Sequence, residues 1–171
     1  MSERDTGRAA FYAAEKLVHN LFDRAGTSHT ASIGGTTLTL PAEAKFASVA
    51  SITRYVGDVL AMPSVRSTFE RADVPVTVRA RRGHRAAEYR TSGHPGLAEL
   101  GGEIAIPDSA AGTWALRELV VLHELAHHLD ASGGPAHGRG FVDTLITLVG
   151  LVLGPEAEFA YRVLLSDAGV R

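Results

Sequence analysis

The stretch "VLHELAHHLDASGGPAHGRGF", Val121 to Phe141, places four of the chain's eight histidines and two acids among Leu, Ala and Gly. Its first half repeats apolar residues with helical period. Gly133-Gly134-Pro135 then stops the helix and lets the chain reverse, and a second apolar helix opens near Phe141. His123 and His127 are four residues apart, so they project from one helix face about one turn apart. Leu116 and Val120 extend that face upstream, which makes it a buried face. Two imidazoles so spaced can converge on one ion, and Zn2+ accepts neutral imidazole in tetrahedral geometry. Glu124 is rotated by about 100° from His123, beside such an ion rather than on it. There it could take a proton from a water whose pKa a metal has lowered. This is a His-Glu-x-x-His arrangement, a zinc metalloprotease signature. The competing reading makes both histidines hydrogen-bonded core residues. Several imidazole and carboxyl groups buried on one helix are costly unless something satisfies them, and that favours a metal.

A catalytic zinc takes three protein ligands and leaves a fourth position open. The candidates for the third are His128, Asp130, His137, Asp143, Glu156 and Glu158. His128 points about 100° away from His127, toward the surface or a supporting role. Asp130 has a short side chain suited to capping the helix end. His137 follows the Gly-Gly-Pro reversal and is preferred. The expected site is therefore His123, His127 and His137 as ligands of one Zn2+ per chain, with Glu124 as the general base.

Outward from this stretch, Gly7 to Arg24 shows a helical stripe through Ala10, Ala14, Leu17, Val18, Leu21 and Phe22, with Gly26 as its C-terminal cap. Residues 1–6 read as a flexible tail. "HTASIGGTTLTL" predicts two short strands about Gly34-Gly35. Phe46 to Leu60 forms another helical stripe, ended by Met62-Pro63. Val74, Val76 and Val78 alternate with polar residues, and Gly83 suggests a turn into a second strand near Ala86–Arg90. "TSGHPGLAELGG" reads as loop, and Gly102 to Pro107 as a strand with Ile104 and Ile106 on one face. Helices are expected from Thr113, a candidate N-cap, to about Ala131, over Gly138–Leu153, and from Pro155 to about Asp167. Helices and strands do not alternate as a parallel α/β fold requires. The expectation is one α+β domain over residues 1–171, with a small antiparallel sheet and a central helix carrying the site.

Composition narrows the chemistry. The 171 residues contain no cysteine, so any metal must be held by His, Asp or Glu. No apolar run approaches the roughly 20 residues of a membrane span, and "MSERDTGRAA" lacks the apolar core of a signal peptide. These features fit a cytoplasmic protein. Net charge is −2, and fifteen of the seventeen basic residues are arginine, a coding bias rather than a binding signal. "RARRGHRAAEYR" gathers Arg79, Arg81, Arg82, Arg85 and Arg90 with His84 and Tyr89. It reads as a solvated hairpin face in preference to a nucleic-acid surface.

"HELAHHLDASGGPAHGRGF" resembles the zincin peptidase pattern His-Glu-x-x-His followed, after a turn, by His-Gly-x-x-Phe, as carried by the SprT-like proteases of DNA–protein crosslinks. "TWALRELVVLHELAHHLD" also resembles small metallohydrolases of actinobacteria and their phages. The likeness covers about Thr113 to Phe141. It implies a zincin-like domain, zinc on His123, His127 and His137, and Glu124 as base. The chain departs from the SprT-like pattern in lacking a downstream zinc ribbon, and from metzincins in its longer spacing to the third histidine. A gluzincin arrangement through Glu156 or Glu158 stays open. The expected function is hydrolysis of peptide bonds in a peptide or protein substrate. The alternatives are a zinc-stabilised binding module without activity and a DNA-associated protease. For the oxyanion donor the candidates are Tyr161, Arg139, His84 and Tyr89, with Tyr161 preferred. The strand Gly102–Pro107 could offer an edge to an extended peptide, or be a covered edge.

Overall fold

The computed structural model describes residues 7–83, 85–92, 101–108 and 114–170. The expected tail at 1–6, most of the loop 91–102, His84 and Thr113 lie outside the described residues. Among the described residues the architecture is α+β, with six α-helices, a two-stranded sheet and a three-stranded sheet. The chain divides into two compact units, Ala44–Ala131 and a second made of Met1–Glu43 with Ser132–Arg171. Among the described residues, no helix is long and apolar enough to cross a membrane.

In the unit formed by the two chain ends, α1 (Arg8–Ala25) buries Phe11, Ala14, Val18 and Phe22 on one face. Gly26 ends it at φ 48°, a backbone conformation that glycine adopts without steric cost. The strands β1 (Thr30–Ile33) and β2 (Thr36–Thr39) pair antiparallel in the register Ile33↔Thr36. Gly34 and Gly35 both have positive φ, as a two-residue hairpin turn requires. From this unit's C-terminal part come α5 (Arg139–Leu153) and α6 (Pro155–Asp167), divided by Gly154 at φ 102°. Leu145, Leu148 and Val149 of α5 and Ala157, Ala160 and Tyr161 of α6 are buried.

In the central unit, α2 (Val49–Ala61) starts at Ser48, whose hydroxyl accepts from Ser51 N at 3.2 Å. Pro63 breaks it and opens the short α3 (Pro63–Thr68). The strands β3 (Val76–Arg81), β4 (Glu88–Thr91) and β5 (Gly102–Pro107) form a sheet in the order β3-β5-β4. β3 runs parallel to β5 and β4 antiparallel to it. The expected direct hairpin across Gly83, and the antiparallel sheet built on it, are therefore corrected. β5 takes the middle because all of it but Glu103 is buried, whereas the arginine-bearing strands can be wetted at the edges. With a neighbour on each side, β5 also has no open edge along Gly102–Ala105 for a peptide strand.

The helix α4 (Glu118–Leu129) begins five residues after the expected cap. The delay has a cause in the chain before α2. Phe46 N donates to Leu116 O at 2.8 Å and Glu118 N to Ala44 O at 2.9 Å, about an antiparallel bridge between Lys45 and Arg117. Arg117 is thus held extended, at φ −130° and ψ 148°, and the helix begins only at the next residue. The Glu118 side chain closes the arrangement, its two oxygens accepting from Ala44 N at 2.7 Å and from the Tyr55 hydroxyl at 2.5 Å.

Because Glu118 is buried, a donor it loses is not replaced by bulk water. Tyr55→Phe should therefore lower stability by about 1–3 kcal/mol, the value of a hydrogen bond to a charged or strongly polar group. Urea unfolding followed by circular dichroism checks this, with the midpoint falling and the slope unchanged.

Candidate metal centre

α4 is buried on every side: of its twelve residues all but His127 are buried. The i, i+4 spacing does what the sequence predicts. The rings of His123 and His127 lie 4.9 Å apart between centroids, and their Nε2 atoms stand 3.2 Å from each other. Two nitrogens bound at about 2.05 Å to one tetrahedral zinc are roughly 3.3 Å apart, so the pair is already spaced as one edge of such a site. Glu124, one residue on, is 6% exposed. His127 keeps partial exposure and marks the side on which solvent reaches the pair.

His128 is fully buried, which corrects the surface position given to it as one alternative. A helix packed all round has no solvent side, so a rotation of 100° turns the side chain into other protein. Its Nε2 lies 3.0 Å from the Val74 carbonyl and its Nδ1 3.2 Å from the Tyr89 hydroxyl. Burial holds its pKa below the ordinary histidine value; the Arg71 guanidinium acts the same way and the Val74 hydrogen bond opposes. Arg71 Nε also donates to the His128 carbonyl at 2.7 Å, satisfying an acceptor of the last helical turn. Sequence reasoning missed this anchoring, although Leu119 to Leu122, with Leu125, Ala126 and Leu129, already set apolar residues on every face of the helix.

Tyr89 is the second residue that was underread. Its ring is nearly parallel to that of His127, at 10° and 6.4 Å between centroids, while its hydroxyl meets His128. The other oxyanion candidates are placed differently. Tyr161 is fully buried on α6. Arg139 is largely exposed and approaches Asp143 at 3.6 Å. Of the remaining ligand candidates, Asp143 is exposed in that pair, and Glu158 accepts from Arg162 at 2.6 Å. Glu156 is exposed in the first turn of α6, and Asp130 is the C-cap of α4, its N–H donating to the Ala126 carbonyl.

His137 sits in a tight turn, closed by Gly138 N donating to Pro135 O at 2.9 Å, at the start of α5. Three aromatic rings surround its imidazole: Phe11 at 5.0 Å, Tyr12 at 4.9 Å and Phe141 at 5.2 Å. This gives the His-Gly-x-x-Phe sequence a physical meaning. Phe141, four residues on, packs its ring against the imidazole, and Gly138 leaves room for the turn. His123 and His127 come together within the central unit, and His137 belongs to the unit formed by the two chain ends.

The arginine-rich stretch is partly neutralised by its neighbours. Arg79 pairs with Glu103 at 2.8 Å, and Arg81 and Arg90 both reach Glu88. The Arg90 hydrogen bond, and both arginine charges, hold Glu88 below the usual carboxylate pKa. Comparison of the chain with models of protein families, with curated proteins and with solved structures returns no match.

A Cβ at Gly138 would lie 3.0–3.1 Å from Pro135 Cδ and its carbonyl oxygen, whereas one at Gly134 would meet only Ser132 Oγ, at 3.6 Å. Gly138→Ala should therefore cost about 1–3 kcal/mol by overpacking the turn. Gly134→Ala should stay within about 0.5 kcal/mol of the unaltered chain. Parallel denaturant titrations distinguish the two.

Proposed function

We propose that the protein is a zinc-dependent metallohydrolase, with peptide bonds as its substrates, and that Glu124 is its general base. The observation that carries this reading is the pair of Nε2 atoms 3.2 Å apart on a buried helix, with a buried carboxylate one residue from the first. The donor set fits the metal. Three imidazoles are a common ligand set for zinc, and the chain has no thiolate to compete. In this reading His123, His127 and His137 hold the ion. Zinc bound there supplies Lewis acidity, polarising a scissile carbonyl and lowering the pKa of water. Glu124 takes the proton from the attacking water and returns it to the leaving amine. Glu124 has a clear use in this chemistry and none in a purely structural metal site. The zincin-like and SprT-like resemblance belongs to the same proposal, resting on the motif from His123 to Phe141. A DNA-associated role is the weaker alternative, since Arg79, Arg81 and Arg90 are each paired with an acid.

Metal analysis and proteolysis assays test the proposal together. The unaltered protein should contain one zinc per chain, and Glu124→Gln should retain it while losing roughly 10²–10⁴-fold in kcat. His137→Ala should bind zinc more than about tenfold more weakly. Chelation should abolish cleavage of casein or of the chain itself, and added zinc should restore it. Wild-type turnover by Glu124→Gln would sink the mechanism. Metal retention without cleavage by any form of the protein would leave the binding module as the reading.

A further inference from the structure

His127 is the one member of α4 with solvent access, so of the two helix imidazoles it has the more freedom to turn away from a metal. The surroundings of Tyr89 restrict that freedom. The Val74 carbonyl can only accept a hydrogen bond, so His128 Nε2, 3.0 Å away, carries the hydrogen. In the neutral ring Nδ1 is then an acceptor, and the Tyr89 hydroxyl, 3.2 Å from it, is the donor. This fixes the tip of Tyr89. Its ring then lies alongside His127, within 10° of parallel. Gly102 completes the arrangement. A Cβ there would fall 2.5 Å from Tyr89 Cε2, 2.7 Å from its hydroxyl and 2.8 Å from His128 Nδ1, so the phenol and imidazole meet directly over bare backbone.

We infer that Tyr89, fixed by His128 across Gly102, is a positioning residue that keeps the His127 imidazole turned toward His123. The inference rests on the proposed ligand role of His123 and His127, and it deepens that role. Tyr89 acts through His127 and its phenol proton is committed to His128, so it is not the oxyanion donor. A ligand ring oriented before the metal arrives loses less freedom on binding, and partners outside the ligand set typically change metal affinity by 10–100-fold.

The experiment uses the full chain, unaltered and as Tyr89→Phe, Tyr89→Leu and Gly102→Ala. Zinc affinity is measured by competition with a chromogenic chelator, and the electronic spectrum is recorded after cobalt(II) substitution. The mobility of the His127 ring is followed by nuclear magnetic relaxation in the metal-free protein. Tyr89→Phe should weaken zinc binding roughly 10–100-fold, alter the cobalt(II) spectrum and raise His127 ring mobility. Gly102→Ala, which alters neither histidine nor the tyrosine, should move the same three readouts in the same direction. A merely structural tyrosine would lower the melting temperature without changing the cobalt(II) spectrum. Zinc binding within twofold of wild type and an unchanged spectrum in both Tyr89→Phe and Tyr89→Leu would overturn the inference. A loss confined to Tyr89→Leu would overturn the part given to His128. If the unaltered protein takes up no zinc, the metal reading itself fails. The relaxation measurement still decides whether Tyr89 orders His127.

Discussion

Helix α4 is buried all round yet carries Glu118, His123, Glu124, His127 and His128, and the central unit is organised around that conflict. A buried polar group without a partner costs on the order of 1–3 kcal/mol, comparable with a sizeable part of a domain's net stability. Glu118 is met by Ala44 N and Tyr55, which tie the segment before α2 to the start of the helix. His128 is met by Val74 and Tyr89, which tie its end to the chain entering β3 and to β4. Both terminal turns are therefore pinned by side chains that would otherwise destabilise them. Between those anchors lie His123, Glu124 and His127, the part of the helix assigned to chemistry. Rigidity at both ends is what lets a four-residue spacing become a defined 3.2 Å separation.

The same arrangement explains which features were legible in the sequence. The i, i+4 relation of His123 and His127 is a local consequence of helical geometry, and it came out as expected. So did the Gly34-Gly35 hairpin and the Gly154-Pro155 break, each of which is decided within a few residues. The sheet was not legible in the same way. β3 and β4 follow one another across Gly83, yet β5 enters between them, because its apolar residues need cover on both sides. Nothing local to residues 76–91 announces that insertion. The start of α4 was misplaced for a similar reason, since the pairing of 44–46 with 116–118 joins segments some seventy residues apart.

His128 and Tyr89 show a subtler limit. Reading a helix by faces assigns the position next to a ligand to the surface, and that step assumes a wet side. On α4 only His127 has partial solvent access, and His128 becomes the link between helix and sheet. Tyr89 lay in a stretch dominated by arginines, where charge drew the eye to solvent and nucleic acid. Its ring instead points to the histidines, while the arginines beside it pair with Glu88 and Glu103.

The number of donors separates the chemical readings of the site. Structural zinc is closed by four protein ligands, commonly with thiolates among them, and its ligands leave no position for water. The proposed ligand set has three members, and the chain contains no cysteine to add a thiolate. Three imidazoles leave room for one exchangeable ligand, and the partial exposure of His127 gives solvent a way to reach it. A carboxylate buried beside such an opening is poorly explained by packing, because an apolar residue of similar size would fill the space without the cost of desolvation. In the proposed reading Glu124 has a use there, because a proton has to move from the attacking water to the leaving amine. In the proposed reading, the buried acid and the partial exposure of His127 favour hydrolysis over structural support.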